Sequence, residues 1–274
     1  MADFSVLMSV YAREKPEFLD ACFQSLLRQT EPATEWVIVE DGPLTEELTA
    51  VLDRYVCDYP GLIKRVPLAE NVGLGAALAV GLPSCSFELV ARMDTDDLAV
   101  ADRFAKQLAA FRADPTLELC GGQIDEFIDS PDNPVSRRCV PLTQEEIRNY
   151  QKRRDAFNHM TVMFKKSAVL RAGNYQPCPL MEDSYLWARM LQSGVHCRNL
   201  SDTLVSVRVG TDLYARRGGW RYFQKYREGR RRILETGLIS RWDYTYTLAV
   251  QLAVALMPAS LRTWVFQKLL HPQR

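Results

Sequence analysis

The residues best suited to chemistry are three carboxylates that directly follow a short apolar run at residues 89–93. Asp94, Asp96 and Asp97 fall within a single short stretch. Because alternate side chains of an extended chain point to the same face, Asp94 and Asp96 are expected to converge while Asp97 points elsewhere. Two convergent carboxylates suit a hard divalent cation, Mn²⁺ or Mg²⁺, whose remaining positions are filled by water and substrate phosphate. An Asp-rich turn without a metal is the alternative, since Asp favours turns.

A second acidic pair, Glu182-Asp183, precedes residues 184–193, whose apolar spacing predicts a helix. Carboxylates in the first turn of a helix complement its dipole, so a purely structural role is one interpretation. His159 comes just before a strand-like run, and a structural role is favoured over metal ligation.

Strands and helices alternate along the part of the chain that must position these side chains. Apolar runs predict strands at residues 4–11, 36–39, 62–66 and 87–93, and helical spacing predicts helices at 17–28, 45–59 and 76–82. This alternation predicts an α/β fold with a Rossmann-like, mostly parallel sheet flanked by helices. Ligands of such sheets bind beyond the carboxyl ends of the strands, where Tyr11, Asp41 and the acidic run lie.

Six short motifs resemble, in order and spacing, those of the family 2 glycosyltransferases. They are Ser9-Val10-Tyr11, Val39-Glu40-Asp41-Gly42, Asn71-Val72-Gly73-Leu74-Gly75, Arg92-Met93-Asp94-Thr95-Asp96-Asp97, the run at 159–164, and Glu182-Asp183. The resemblance covers residues 4–210 and implies the GT-A fold, a nucleotide-sugar-binding α/β domain with an Asp-x-Asp metal motif. The second and fourth motifs resemble those of bacterial enzymes of exopolysaccharide and O-antigen assembly, including amylovoran-type transferases.

The resemblance implies a role for each matching residue. Asp183 is expected to be the general base, and Asp94 and Asp96 are expected to hold the metal ion. The expected donor-binding residues are Ser9, Val10, Tyr11, Glu40, Asp41, Asn71, Gly73, Arg92, Asp94, Thr95 and Asp96. Among these, Asp41 is expected to face the uracil ring and Tyr11 to stack on it. His159 and Glu182 are expected near the acceptor.

Charge is divided unequally between the halves of a chain whose formal net charge is zero. Residues 1–150 carry 13 Lys and Arg against 26 Asp and Glu, whereas residues 151–274 carry 21 against 8. The basic half indicates an anionic partner, and no recognised nucleic-acid-binding motif is present. A negatively charged membrane face or a diphosphate-linked lipid is the better match. Arg208, Arg216 and Arg217 are candidates for diphosphate binding through their planar guanidinium groups, with a solvated basic loop as the alternative.

The C-terminal segment predicts a helical tail. Residues 220–234 have a helical pattern and are densely basic, with Arg230-Arg231-Arg232 near their end, and residues 248–257 are almost wholly apolar. A membrane-spanning helix needs about 20 apolar residues, so this run is too short. With the Trp-bearing amphipathic run at 261–270, the tail predicts attachment to an anionic membrane surface. Packing against the catalytic domain, or against a second subunit in a homodimer, is the alternative.

These observations together predict a domain organisation and a location. Residues 1–215 are expected to form the GT-A catalytic domain, with a nucleotide-sugar-binding half at 1–100 and an acceptor half at 101–215. Residues 216–274 are expected to form the basic, amphipathic tail. Seven scattered cysteines without a C-x-x-C pair, and no signal segment at the N-terminus, predict reduced thiols in a cytoplasmic enzyme that is peripheral on the inner face of the bacterial cell membrane.

The predicted reaction is a metal-dependent, inverting transfer of galactose or glucose from a UDP-sugar. The expected acceptor is GlcNAc or GalNAc joined through a diphosphate to a lipid such as undecaprenol, with a β-1,3 linkage formed in O-antigen or exopolysaccharide biosynthesis. A rhamnosyl or amino-sugar donor is the alternative within this class. From a different class, the chain is a sugar-nucleotide-binding or nucleotidyltransferase-like protein, and Asp183 discriminates because neither needs a base over an acceptor.

Overall fold

The first half of the chain alternates strands and helices as the sequence predicts. A computed structural model describes residues 3–210 and 219–257. The elements are β1 (Phe4–Val10), α1 (Pro16–Leu27), β2 (Glu35–Glu40), α2 (Glu46–Asp58), β3 (Ile63–Pro67), α3 (Leu74–Ser84) and β4 (Leu89–Arg92). Strand β1 pairs in parallel with β2 and β4, and β2 pairs in parallel with β3. The carboxyl ends of β1, β2 and β4 therefore meet at one edge of the sheet.

The second half extends this sheet with strands of both directions. Its elements are β5 (Leu98–Ala99), α4 (Arg103–Ala113), β6 (Leu119–Phe127), β7 (Ser136–Arg138), α5 (Gln144–Gln151), a 3₁₀ turn (His159–Thr161), β8 (Met163–Lys165), α6 (Lys166–Arg171), α7 (Glu182–Gln192) and β9 (Cys197–Arg208). Strand β8 is antiparallel to both β4 and β6, whereas β6 and β9 are parallel. The expected mostly parallel arrangement thus describes the first half, and the whole sheet is mixed.

Local sequence signals account for the helix positions. Pro16 occupies the start of α1, where its missing N–H costs nothing. Thr45 caps α2 by accepting the Leu48 N–H, as Asp, Ser and Thr do at this position. The apolar face of α1 buries Leu19, Phe23 and Leu26 against the sheet. Each such side chain contributes about 1.5–3 kcal/mol when it is fully buried.

Two further helices follow the sheet, α8 (Trp220–Glu235) and α9 (Arg241–Leu256). Helix α8 packs against α7, and Ile233, Leu238 and Ile239 are buried in the same core cluster as Trp187. The predicted domain boundary falls among residues 211–218, and Arg216, Arg217 and the run at 261–270 all lie outside the described residues. Among the helices that are described, none is both long and apolar enough to cross a bilayer.

Arg230 corrects one feature of the predicted tail. This residue is buried, its Nε donates to Thr247 Oγ1 at 3.1 Å, and its Nη2 donates to the Lys152 carbonyl at 2.6 Å. It therefore joins α8 to α9 and to the catalytic half, and is not part of a basic surface facing a membrane. Helical periodicity places only every third or fourth residue on one face, so adjacent arginines face different surroundings.

Candidate active site

A cleft of about 510 Å³ opens at the sheet edge where β1, β2 and β4 end. Its walls come from the loops that follow those strands and from the start of α3. The lining residues are Ser9, Tyr11, Arg13, Glu14, Lys15, Phe18, Asp41, Asn71, Gly73, Leu74, Asp94, Thr95 and Asp96. Eight of the predicted donor-site residues are among them, so the fold brings most of the predicted set to one cleft. Their binding roles stay predictions.

Asp41 organises one wall of the cleft. Its Oδ1 accepts the Val72 N–H at 2.7 Å, and its Oδ2 accepts the Gly73 N–H at 3.1 Å and the Asn71 amide at 3.0 Å. Gly42 lets the two loops approach, because a Cβ there would lie 2.7 Å from the Asn71 nitrogen. The carboxylate therefore fixes the loop 71–73 directly in front of α3.

The acidic motif concentrates negative charge on the opposite wall. Strand β4 ends at Arg92, so Asp94 and Asp96 are presented by a turn that follows the strand. Burial, and then the carboxylates of Asp94 and Glu14, raise the pKa of Asp96 to about 7. Asp97 is buried outside the cleft lining, where its Oδ1 accepts the Arg208 N–H at 2.9 Å. Asp97 therefore points away from the pair, as expected, but it is the turn and not strand alternation that directs it there.

This donor set fits a hard divalent cation. Asp94 and Asp96 both line the cleft, and burial, followed by the carboxylates of Asp94 and Glu14, raises the pKa of Asp96 although the nearby Arg92 lowers it. Within residues 3–210 and 219–257, no three metal-ligating side chains form a cage by themselves. A cation here would therefore be held by two carboxylates, with its remaining positions filled from water and substrate, as Mg²⁺ and Mn²⁺ accept.

Arg92 lies beneath the acidic motif and does not line the cleft. Its guanidinium is fully buried and contacts Asp94 Oδ1, so it orients that carboxylate from behind. Burial alone would lower the pKa of Arg92, but the Asp94 carboxylate raises it, so the side chain stays charged. The predicted donor contact is thus replaced by an indirect role. Buried Arg is tolerated in proteins where such a charge partner is present.

His159 belongs to a buried aromatic group next to Arg92. Its Nε2 lies 3.0 Å from Tyr175 Oη, and its ring packs edge-on to Trp187. Burial, and then the Arg92 charge, lower the pKa of His159 well below its usual range, so the ring is neutral. A neutral ring with two aromatic neighbours is consistent with the structural role that the sequence favours over metal ligation.

Asp183 stands in the first turn of α7, where its Oδ1 accepts the Ser184 N–H at 2.7 Å. Burial, and then the Asp155 carboxylate, raise the pKa of Asp183 to about 7. Glu182 touches Gly75, the neighbour of the cleft-lining Leu74, so the acidic pair borders the cleft. A carboxyl group whose pKa lies near 7, at the edge of a binding cleft, has the properties of a general base.

Three predicted residues point away from the cleft. Val10 is buried in the core between Ser9 and Tyr11, and Glu40 turns to Arg65, with oxygen-to-nitrogen distances of 2.6 and 2.9 Å. Strand alternation explains both, because neighbours of cleft-facing residues face the other side of the sheet. The Arg208 guanidinium lies between the rings of Phe18 and Phe127, at 4.0 and 4.7 Å from their centroids, and does not line the cleft.

The structure adds cleft residues that the sequence analysis did not identify. Arg13, Glu14, Lys15 and Phe18 come from the loop after β1 and the start of α1. The sequence signal that could have identified them is their position directly after Tyr11, at a strand end that the analysis had assigned to the site. Arg13 and Lys15 bring positive charge to a cleft that the acidic motif also lines, which suits an anionic ligand.

Residues 5–175 match the family described as Glycosyl transferase family 2. The amylovoran biosynthesis glycosyltransferase AmsE of Erwinia amylovora is 39% identical over 97% of this chain and 98% of its own length. A UDP-Gal:alpha-D-GlcNAc-diphosphoundecaprenol beta-1,3-galactosyltransferase of Escherichia coli is 33% identical over 97% of this chain and 96% of its own length. The chain therefore belongs to glycosyltransferase family 2 and is a glycosyltransferase.

Solved structures agree on the fold. A mannosyltransferase of Pyrobaculum calidifontis superposes with a TM-score of 0.62 at 19% identity, over 94% of this chain and 77% of that one. TarS 1–349 of S. aureus superposes with a TM-score of 0.62 at 18% identity, over 95% of this chain and 68% of that one. The sheet with flanking helices is thus a GT-A fold, as the sequence motifs imply.

Proposed function

We propose that this enzyme transfers galactose or glucose from a UDP-sugar to a lipid-diphosphate-linked GlcNAc or GalNAc, with inversion to a β-1,3 linkage, in O-antigen or exopolysaccharide biosynthesis. The observation that carries the proposal is Asp183, a carboxyl group with a pKa of about 7 beside a cleft that the acidic motif lines. The Escherichia coli relative, a β-1,3-galactosyltransferase that acts on GlcNAc-diphosphoundecaprenol, supports the substrate class.

The cleft residues suggest how the donor is held. Asp41 holds the loop 71–73 in place beside the proposed site of the uracil ring. Tyr11 lines the same cleft and would stack on that ring. Arg13 and Lys15 provide positive charge for the diphosphate. Asp94 and Asp96 would hold Mn²⁺ or Mg²⁺, which when bound neutralises the charge that develops on the departing nucleoside diphosphate. The mannosyltransferase of Pyrobaculum calidifontis, whose structure contains Mn²⁺, supports this choice.

Asp183 performs the proton transfer in this proposal. The acceptor hydroxyl attacks the anomeric carbon as its proton passes to a carboxylate oxygen of Asp183, and the bond to the diphosphate oxygen breaks on the opposite side. A single displacement inverts the anomeric configuration, so an α-linked donor gives a β product. Asp183 borders the cleft that Asp94 and Asp96 line, so the proposed base and the proposed metal site are distinct.

We also propose that the enzyme works on the cytoplasmic, anionic face of the bacterial cell membrane. Support comes from the exposed side of α9, where Trp242, Tyr246, Val250 and Leu256 form an apolar face at helical spacing. Basic residues predominate in the half of the chain that carries it. A Trp-bearing apolar face with nearby positive charge suits the interface of an anionic bilayer.

A donor and acceptor panel tests the reaction. Purified enzyme is given UDP-Gal, UDP-Glc, UDP-GlcNAc and dTDP-rhamnose with GlcNAc- or GalNAc-diphosphate-lipid, in Mn²⁺, Mg²⁺ or EDTA. We expect transfer from UDP-Gal or UDP-Glc, a β anomer by NMR coupling, and no product in EDTA or with Asp183→Asn. Asp132→Asn, in an exposed loop, is the matched control. An α-linked product contradicts inversion, and transfer from dTDP-rhamnose alone replaces the donor assignment.

A further inference from the structure

The short segment that leads into Asp183 is held between two helices from different parts of the chain. Residues 177–182 lie within the acceptor half and lead into the first turn of α7. Helix α3 of the donor half lies on one side of this segment, and helix α8 of the tail lies on the other. The contact with α3 depends on a glycine, and the contacts with α8 depend on a second glycine and on one arginine side chain.

On the donor side the contact depends on Gly75. A Cβ at this position would lie 2.7 Å from Glu182 Cγ and 2.9 Å from Glu182 Cβ. Both distances are shorter than folded proteins allow, and the Glu182 atoms belong to the stem of its side chain, next to the backbone. Any residue larger than Gly at position 75 therefore moves Glu182, and with it the adjacent Asp183.

On the tail side the contact depends on Gly229. A Cβ here would lie 2.9 Å from the Pro179 carbonyl oxygen and 3.0 Å from Met181 Sδ. Gly229 stands in the interior of α8, where Gly weakens a helix relative to Ala. A residue that is unfavourable for the helix is thus present where the helix meets the backbone of the segment.

Arg232 adds a directed bond to the same segment. Its Nη1 donates to the Pro177 carbonyl at 2.6 Å. Leu180 adopts a φ of +65°, a region that non-glycine residues rarely occupy. Such a conformation persists only where the surroundings fix it, and here the surroundings include α8.

We propose that Gly75, Gly229 and Arg232 are positioning residues for Asp183, and that α8 is therefore a working part of the catalytic apparatus. This inference rests on the proposed function, in which Asp183 is the base. Displacement of a reacting group by a fraction of an ångström to one ångström lowers a rate strongly while leaving the binding of a distant ligand intact. Gly229 and Arg232 belong to α8, which does not line the cleft, so the two effects are separable for them, whereas Gly75 directly follows the cleft-lining Leu74.

The test compares single substitutions of the three residues with matched controls. Gly75→Ala, Gly229→Ala, Arg232→Ala and Arg232→Lys are measured with Gln224→Ala, on the exposed side of α8, and Val80→Ala, on the exposed side of α3. Each variant is assayed for kcat with a soluble acceptor analogue, for UDP-sugar Kd by calorimetry, and for melting temperature. Asp183→Asn is run alongside.

We expect Gly229→Ala and Arg232→Ala to lower kcat by about tenfold or more with the UDP-sugar Kd within about twofold of wild type, and Gly75→Ala, next to the cleft-lining Leu74, to lower kcat more than it weakens donor binding. Arg232→Lys is expected to recover part of the loss, because Lys also donates to a carbonyl, and the controls are expected to match wild type. Wild-type kcat in all three, or a parallel loss of donor binding, would overturn the inference. If Gly229→Ala or Gly75→Ala does not fold, Arg232→Ala decides alone.

The two proposals fail in different ways. An active Asp183→Asn variant removes the proposed base, whatever the other variants do. An inactive Asp183→Asn variant together with normal Gly75→Ala, Gly229→Ala and Arg232→Ala variants leaves the base in place and removes only the positioning role.

Discussion

At the scale of single residues, Asp96 and Asp183 reach a similar pKa of about 7 through different surroundings. For Asp96 burial is followed by the carboxylates of Asp94 and Glu14, and for Asp183 burial is followed by Asp155. For a carboxyl group that binds a cation, the cation stabilises the charged form and lowers the pKa. A general base instead benefits from a pKa that stays near 7, since it must accept a proton and later release it. The shared pKa therefore supports two different roles.

The pH dependence of turnover tests the role of Asp183. Below pH 7 its carboxyl group is protonated and cannot accept the acceptor proton. We expect kcat to rise about tenfold per pH unit below pH 7 and to level off above it. The profile is measured from pH 5.5 to 8.5 at saturating UDP-sugar and Mn²⁺. Because bound cation lowers the pKa of Asp96 but leaves Asp183 unchanged, the midpoint should not move with Mn²⁺ concentration. A midpoint that shifts with Mn²⁺ concentration would show that the fall in kcat below pH 7 arises from the metal ligands and not from Asp183.

Asp96→Asn is expected to change stability and function in opposite directions. In EDTA at pH 8 the charged Asp96 is disfavoured by burial and by its acidic neighbours, so the neutral isostere should stabilise the fold by roughly 1–2 kcal/mol after solvent screening. The melting temperature should rise by about 2–6 °C. At pH 5, where the folded protein already binds this proton, the gain should shrink. Calorimetry in EDTA at both pH values measures it, and a gain that is larger at pH 5 has the wrong sign for this account.

At the scale of elements, the first half could be predicted from the sequence because local and global signals agree. The period of apolar residues, Pro16 at the start of α1 and the Thr45 cap of α2 all point to the same elements. Strand β9 has no such agreement, since its twelve residues mix polar and apolar side chains and it pairs with β6 across a register shift. Pairing between distant segments is set by tertiary packing, which no local pattern encodes.

The predicted site residues that directly follow a strand end line the cleft, whereas two that lie within strands do not, and their binding roles stay predictions. Asp94, Asp96, Asp41 and Tyr11 follow strand ends and line the cleft. Motif membership alone does not say which neighbour faces the ligand, so Val10 and Glu40 were included with them. The buried role of Arg230 depends on Lys152, which is far away in the chain. Arg92 is buried against its near neighbour Asp94, and the three-dimensional structure is needed to show this contact.

Loop 71–73 gives a prediction at this scale. Asp41→Asn puts an amide NH₂ where a carboxylate oxygen now accepts N–H groups, so at least one bond to the loop is replaced by two donors that face each other. We expect the UDP-sugar Kd to rise by about 10–100-fold, as for the loss of a charge-assisted hydrogen bond of about 1.5–3 kcal/mol. Calorimetric titration measures this, with Asp53→Asn, at the surface on Arg65, as control. Unchanged affinity would show that the loop does not depend on Asp41.

At the scale of the whole molecule, charge separates into an acidic N-terminal half and a basic C-terminal half. The acidic half contains the carboxylates that line the cleft, where a divalent cation would compensate them. The basic half carries α8 and α9, and α9 presents its apolar face to solvent. Net charge near zero thus results from two opposite fields, each of which attracts its own ligand.

Membrane attachment through α9 is the prediction that belongs to this scale. Each Lys or Arg near an anionic surface contributes about 1 kcal/mol, which salt screens, whereas inserted Trp and Leu add a part that salt does not weaken. Trp242 and Leu256 are 70% and 73% exposed. We therefore expect high salt to release only part of the protein from anionic vesicles, and Trp242→Ser with Leu256→Ser to make release by salt nearly complete. Ile128→Ser with Val135→Ser, also exposed, is the control pair.

The competing occupant of this face is a second copy of the chain, and flotation with size measurement separates the two. On the membrane account, the wild-type protein floats with anionic vesicles at low salt, floats poorly with neutral ones, and keeps its solution mass when Trp242 and Leu256 are replaced. Partial burial of the apolar face in the headgroup region explains each of these outcomes. Wild-type protein that ignores anionic vesicles at low salt, but changes from dimer to monomer in the double variant, would make the α9 face a subunit interface.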